Sequence, residues 1–309
     1  MNGLSTQQVF PEEDPEQLIT LAAPARPSDL DSVVRALRSD LVVLVPDLDL
    51  TRADLLLEAL TARLGLLERL KLQAAFADFH RHRRRVGKYL MSVNERGPNH
   101  VIPPHSEGDS FIQIQLAAFY CLQNDTDGGA TILLHQNDAS PVWPSLREKL
   151  TKIAGTARPL TPAEWTRIKT LYRLKSADKV SAADRIVKLR EGEIPGLLLA
   201  DVLVAPVRSH SELLGKAVYT YWDSIASMDH ASWTSFAGLL RTLGVEGTDN
   251  AAFRRIWSSD LDHNSLFQCR LTRKLAPGEL ILFNNMSWAH STTSWSPTSG
   301  SRNVAAAFA

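Results

Sequence analysis

Between residues 27 and 72 leucines recur at spacings of three and four on both sides of a short apolar run, Leu41 to Val45, that Pro46 stops. That spacing predicts helix, buried strand, helix, with Ser28, Asp29 or Asp31 as the first N-cap. Beyond Val86 the period shortens: residues 89–93, 111–122 and 131–135 read as strands, punctuated by Gly97, Pro98, Pro103, Pro104, Gly128 and Gly129. In FIQIQLAAFYCL the even positions from Ile112 to Leu122 form an apolar face, while the odd face carries Gln113 and Gln115 and is expected to line a polar cavity. Residues 141–153, 181–190 and a segment near 231–243 read as helices in a charged, proline-punctuated stretch. Strands return at 217–222, 266–271, 279–284, 287–293 and 302–308. A strand-rich end closing on strand-rich residues 89–135 predicts one barrel whose halves are separated by an excursion.

Composition narrows the function classes. A chain of 309 residues exceeds an average domain, yet barrels of this length fold as one unit, so a single elaborated domain is expected. Thirty-four basic residues balance thirty-four acidic ones, and no net field draws the chain to nucleic acid or an anionic membrane. With 44% hydrophobic and 22% charged residues the chain has enough apolar surface for a substantial core. The acidic start MNGLSTQQVFPEEDPEQ lacks both a basic start and an apolar stretch, which predicts no leader and a cytoplasmic protein. The longest apolar runs fall short of the roughly 20 residues needed to span a bilayer, so no membrane segment is expected. Two cysteines, Cys121 and Cys269, match no metal spacing and are read as free thiols. The basic run RHRRR at 81–85 reads as a solvated face.

Candidate chemistry begins at IPPHSEGDS, where His105 and Glu107 stand two apart and share one side of an extended chain. Alone this is weak, because nine histidines among 34 acids in 309 residues give about one such pair by chance, and His210 with Glu212 supplies a second. Twenty-four residues after Glu107, the turn Gly128-Gly129-Ala130 enters a strand that begins with the hydroxyl of Thr131. His290 follows near the end, with Arg302 twelve residues later. A reversal within WSPTSGS would put imidazole and guanidinium on adjacent strands facing one interior. Arg302 shares its face with Val304, Ala306 and Phe308, and a guanidinium among apolar neighbours needs an anion.

This ordered set resembles the Fe(II)/2-oxoglutarate-dependent oxygenases, in particular the taurine dioxygenase and clavaminate synthase-like branch, over residues 86–136 and 266–309. The matched elements are the H-x-E pair at His105 and Glu107, the GG-x-T element ending at Thr131, the distal His290 and the following Arg302. Glu stands where Asp is commoner, as in the clavaminate synthase-like members. The resemblance implies an α+β chain with a double-stranded β-helix (jelly-roll) core, flanking helices and an inserted lid. It divides one oxygenase domain, 1–309, into N-terminal support (1–85), motif strands (86–136 and 266–309) and a lid insertion (137–265). It implies Fe(II) held by His105, Glu107 and His290, a facial triad that leaves open positions. It implies 2-oxoglutarate as cosubstrate, its far carboxylate held by Arg302 and Thr131, and dioxygen as the co-reactant. The implied reaction releases succinate and carbon dioxide and oxidises an unactivated C–H bond of a small amino-acid-like or natural-product molecule, free or tethered to a carrier. Related halogenases have Gly or Ala at the carboxylate position, so Glu107 favours hydroxylation, with desaturation, cyclisation and epoxidation starting from the same hydrogen abstraction.

Other readings stay beside it. A jelly-roll protein that binds a metal or small acid without turnover is the main alternative. SHSELLGK reads as a capped helix start, which sets His210 and Glu212 aside. Gln113, Gln115 and Asn94 read as amides serving the backbone, Trp288 and Trp295 as core, and His135, His230 and His263 as structural or surface residues.

Overall fold

The computed structural model describes residues 11–22, 29–79, 83–93, 102–174, 178–182, 184–225, 263–293, 295–296 and 298–309. A short strand β1 (Leu18–Thr20) precedes α1 (Leu30–Arg38), β2 (Val42–Val45), α2 (Leu50–Leu64) and α3 (Leu67–Phe79). Val33, Val34 and Leu37 make the buried stripe of α1, as their spacing predicts. The expected second helix is two: Asp49 caps α2 by accepting the Arg52 N–H at 2.8 Å, and Gly65 ends it at φ 75°, a left-handed conformation that glycine adopts freely. All four residues of β2 are buried because alternate side chains serve two cores, Val43 and Val45 beneath the helices, Val42 and Leu44 between the sheets.

After the helices come β3 (Met91–Ser92), β4 (Ile102–His105), β5 (Leu116–Asn124) and β6 (Thr131–Gln136). The excursion holds β7 (Glu148–Thr156), α4 (Pro162–Tyr172), β8 (Arg185–Glu191), β9 (Leu197–Val204) and the hairpin β10 (Ser209–Ser211) and β11 (Lys216–Val218). The chain then runs through β12 (Phe267–Arg273), β13 (Leu280–Asn284), β14 (Trp288–Thr292) and β15 (Arg302–Phe308). The result is a mixed α+β chain dominated by sheet. Six strands pair in the order β1-β2-β13-β5-β15-β3 and four in the order β12-β6-β14-β4. From β3 to β6, and again from β12 to β15, the chain visits the two sheets by turns, except that β6 and β12 are neighbours. Phe119, Phe283 and Phe308 of the larger sheet pack with Leu133, Leu271 and Trp288 of the smaller to fill the space between them.

Several expectations are corrected. Residues 141–153 are a 3-10 turn at Trp143–Ser145 followed by β7, and 181–190 lead into β8, not helices. Both strands flank β9, whose Leu197, Leu199, Ala200 and Val202 are buried, and this pairing overrides the local helical spacing. SHSELLGK forms the β10–β11 hairpin, closed by Gly215 at φ 65°. The strand expected from 111 starts at Leu116, because Asp109 Oδ1 accepts the N–H groups of Phe111 and Ile112 and folds that stretch into a turn. Leu116, Ala118 and Tyr120 face the helices, while Ala117, Phe119 and Cys121 face the interior, so the odd face is the inner one and is apolar. Gln115 instead accepts the Glu212 N–H at 2.8 Å, away from that interior. Residues 231–243, Gly97, Pro98, Asn94 and His230 lie outside the described residues, as does the side chain of His263. Among the described residues no helix is long and apolar enough to cross a membrane.

The segment that follows α3 is moored to α2. Buried Asp54 accepts the backbone N–H groups of Lys88 at 2.6 Å and Tyr89 at 2.8 Å, and Gly87 passes so close that a Cβ would overlap the carboxylate. Asp54→Ala strands both donors and should cost about 1–3 kcal/mol in denaturant unfolding. Cys121 and Cys269 are unpaired and buried, and burial pushes each thiol up to about 11. A thiol reagent at mildly alkaline pH should therefore label neither cysteine in the native protein and both after unfolding.

Candidate metal centre

Strand register places the two histidines. His290 of β14 lies opposite His105, the last residue of β4, with ring centroids 4.3 Å apart. Alternation then brings Glu107 to the same side, while Ser106 between them turns away to accept a hydrogen bond from Gln136 Nε2 at 3.0 Å. Glu107 Oε1 lies 3.7 Å from His105 Nε2 and 3.9 Å from His290 Nε2. One donor atom from each of the three residues fits within a 4.8 Å span. Both imidazoles are buried and the carboxylate is partly so.

Electrostatics holds two of these groups in their metal-binding forms. Burial alone would raise the Glu107 carboxyl, but the hydrogen bond with His105 and the charge of Arg83 hold it well below the usual carboxylate range. Burial, reinforced by neighbouring His105, keeps His290 neutral far below its ordinary value. Its Nδ1 is buried with no hydrogen-bond partner among the described residues; the ring packs edge-on to Phe119 at 4.9 Å between centroids. Bonds of about 2.1 Å at right angles put donor atoms about 3 Å apart, so the two spacings from Glu107 to the imidazoles need to close by under about 1 Å to seat an ion. Two imidazoles and a carboxylate on one side are the donor set of non-haem Fe(II) sites with open positions. The residues present fit such an ion.

Two residues that sequence reasoning passed over hold Glu107. Asn285, in the turn between β13 and β14, donates Nδ2 to the Glu107 carbonyl at 2.9 Å and accepts the Glu107 N–H on Oδ1 at 3.0 Å. The same Nδ2 also donates to the Ile114 carbonyl at 2.9 Å. No spacing in the sequence marks this residue. Arg83 donates Nη2 to Glu107 Oε1 at 3.0 Å, and its guanidinium carbon sits 4.8 Å from the centre of the Phe308 ring. Arg83 therefore departs from the expected solvated face, whereas Arg84 and Arg85 are exposed. The cause is local pairing: the Arg84 carbonyl accepts the Ser92 N–H, the Arg84 N–H donates to the Ser92 hydroxyl, and Arg85 bridges to Met91, which fixes the segment at the sheet edge beside Glu107.

Arg302 opens β15 in the larger sheet while His290 belongs to the smaller, so the two face one interior from opposite sheets, not from adjacent strands as expected. After the turn, which Asp127 ties by accepting the Ser296 N–H at 2.8 Å, the chain crosses over. Arg302 Nε donates to the Gly129 carbonyl at 3.0 Å, and its guanidinium lies 5.9 Å from the Trp295 ring centre. Among the described residues no carboxylate pairs with it, and burial lowers it to about 10. Thr131, the first residue of β6, is buried opposite Thr292. His105, Glu107, His290, Thr131 and Arg302 all line one cavity.

The remaining candidates fall elsewhere. His210 and Glu212 are exposed on the β10–β11 hairpin, with Glu212 paired to Arg69. His135 pairs with Asp40 at 2.9 Å and stacks on Trp288, a core residue. Trp295 lies against the guanidinium of Arg302.

No protein-family model matches the chain, and no curated protein matches it. Among solved structures it is similar to AAD-2 in complex with Mn(II) and N-oxalylglycine, at 16% identity and a TM-score of 0.44, over 94% of this chain and 92% of that one.

Gly129 has φ 67°, and a Cβ there would come within 2.8 Å of Thr126 Oγ1 and 2.9 Å of Arg302 Cδ. Gly129→Ala should lower unfolding stability by about 1–3 kcal/mol, the cost of a side chain in that conformation, as read by denaturant titration.

Proposed function

We propose that the protein is an Fe(II)- and 2-oxoglutarate-dependent oxygenase that hydroxylates an unactivated C–H bond of a small amino-acid-like or natural-product substrate. One observation carries this reading: three side chains able to ligate a metal converge in the same cavity as a partly buried guanidinium that no carboxylate among the described residues neutralises. The alternation of β3–β6 and β12–β15 between two facing sheets supports a double-stranded β-helix core. Arg173, the residue closing α4, donates to Asp109 at 2.7 Å, two residues from Glu107, which supports the 137–265 insertion as a cover over the centre.

His105, Glu107 and His290 would hold the iron. When bound, that ion supplies the dioxygen chemistry that splits 2-oxoglutarate to succinate and carbon dioxide and oxidises the substrate. Arg302 would meet the far carboxylate of 2-oxoglutarate through its planar fork, ending its own lack of an anionic partner, while Thr131 donates its hydroxyl. Phe119, Val304 and Phe308 keep water from this end of the cavity. Glu107 fills the carboxylate position, which favours hydroxylation over halide capture.

Anaerobic titration with Fe(II) and then 2-oxoglutarate, followed by succinate assay in air, tests the reading. His105→Ala or Glu107→Ala should abolish metal binding, and His210→Ala should leave it intact. Arg302→Ala should keep the metal and weaken 2-oxoglutarate about 10- to 100-fold, the worth of a charged hydrogen-bonded pair. Retention of metal by both triad variants overturns the assignment. Metal and 2-oxoglutarate binding with no succinate, across a broad substrate screen, gives the binding protein instead.

A further inference from the structure

A second cleft adjoins the centre, and Arg83, Glu107 and Phe308 form the wall it shares with the first. Its other sides are α3, through Phe76, and the β3 edge, through Met91, with Ile114 beside Glu107 and Arg173 from the end of α4. Phe76 is 47% exposed, a large aromatic surface left facing solvent. Most side chains that line the cleft are apolar, Gln73 and Tyr89 add polar groups, and among the described residues its charged lining consists of Arg83, Arg173 and Glu107.

The charge balance depends on what Glu107 does. Without a metal, Glu107 Oε1 is the anion for Arg83, whose side chain is only 13% exposed. That same oxygen faces both imidazoles, so a divalent ion seated on the triad draws its charge away from Arg83. A guanidinium in so little water then lacks full compensation and attracts another anion from the side that is open, which is the second cleft. Arg173, half exposed at the rim and paired with Asp109, adds positive potential there.

We propose that this cleft is the substrate site, that it selects an organic molecule with an apolar body and one anionic oxygen group, and that Arg83 receives that group once metal has engaged Glu107. The proposal rests on the reading of the triad as a metal centre. It makes Arg83 a residue that decides specificity and couples metal binding to substrate binding. The coupling is reciprocal, because a ligand that shifts Arg83 off Glu107 also favours the ion.

Calorimetry on the full chain without oxygen separates the possibilities. The probes are hexanoate, phenylacetate and phenylmethanesulfonate, compared with hexanamide and phenylacetamide of matching shape. Mn(II) and 2-oxoglutarate are titrated first, and failure of that step overturns the metal reading together with this one. Once they bind, at least one acid should bind the loaded protein about tenfold or more tighter than its amide, and removing Mn(II) should weaken that acid by a similar factor. Carboxylate against sulfonate in the panel tells which head group the fork prefers. Arg83→Gln should erase the preference for acid over amide and its dependence on Mn(II). Arg83→Lys, which keeps the charge and loses the fork, should retain part of the preference and guards against misreading an unfolded glutamine variant. Binding of no acid in the panel, equal binding of acid and amide, or an acid affinity indifferent to Mn(II) in the wild-type chain overturns the proposal and leaves the triad assignment standing.

Discussion

The pairing of β14 with β4 sets His290 opposite His105, and a shift of one residue in that register would turn one imidazole out of the interior. The neighbours on either side specify this register. Trp288 packs in the core and donates Nε1 to the Asp40 carbonyl at 3.0 Å, while Ala289 faces the outer cluster that contains Trp143 and Trp222. Alternate residues of one strand therefore belong to two different cores, and slipping the strand would disrupt both.

Glutamate has one more rotatable bond than aspartate, so its carboxylate needs outside restraint to meet two imidazoles. Asn285 restrains the backbone with bonds to both the N–H and the carbonyl of Glu107, and Arg83 restrains the carboxylate. Packing likewise restrains His290 where no hydrogen bond does. Arg302 differs in kind, since its Nε is spent on Gly129 while, among the described residues, no carboxylate meets its terminal nitrogens. Each of these polar groups sits in apolar surroundings from Phe119, Val304 and Phe308, which strengthen every charge interaction within the cavity.

How much of this could be read from the sequence follows the range of the interactions involved. His105 and Glu107 share a side because alternation is local, and Gly129 before Thr131 is a turn written in backbone chemistry. The final strands were legible because their apolar runs are short and bounded by turn residues. Arg83 was hidden, since a run of arginines reads the same whether one of them is turned inward by a neighbouring strand or not. Asn285 was hidden because Glu107, the residue it holds, lies 178 residues back in the chain. The excursion misled because Val142, Leu146, Leu150 and Ile153 suit a helical stripe, while long-range pairing with β9 makes a strand of the last two. The inner face of β5 was expected to be polar because Gln113 and Gln115 share its parity, but the strand begins only at Leu116 and nearly all of it is buried on both faces.

The late strands do not add to the edges of an existing sheet. β13 enters between β2 and β5, β14 between β6 and β4, and β15 between β5 and β3. On a ribosome, the earlier strands must wait with open edges until roughly the last thirty residues have been synthesised, and loop closure over such distances is slow. An unfinished chain thus carries His105 and Glu107 but lacks His290, the third of the converging side chains.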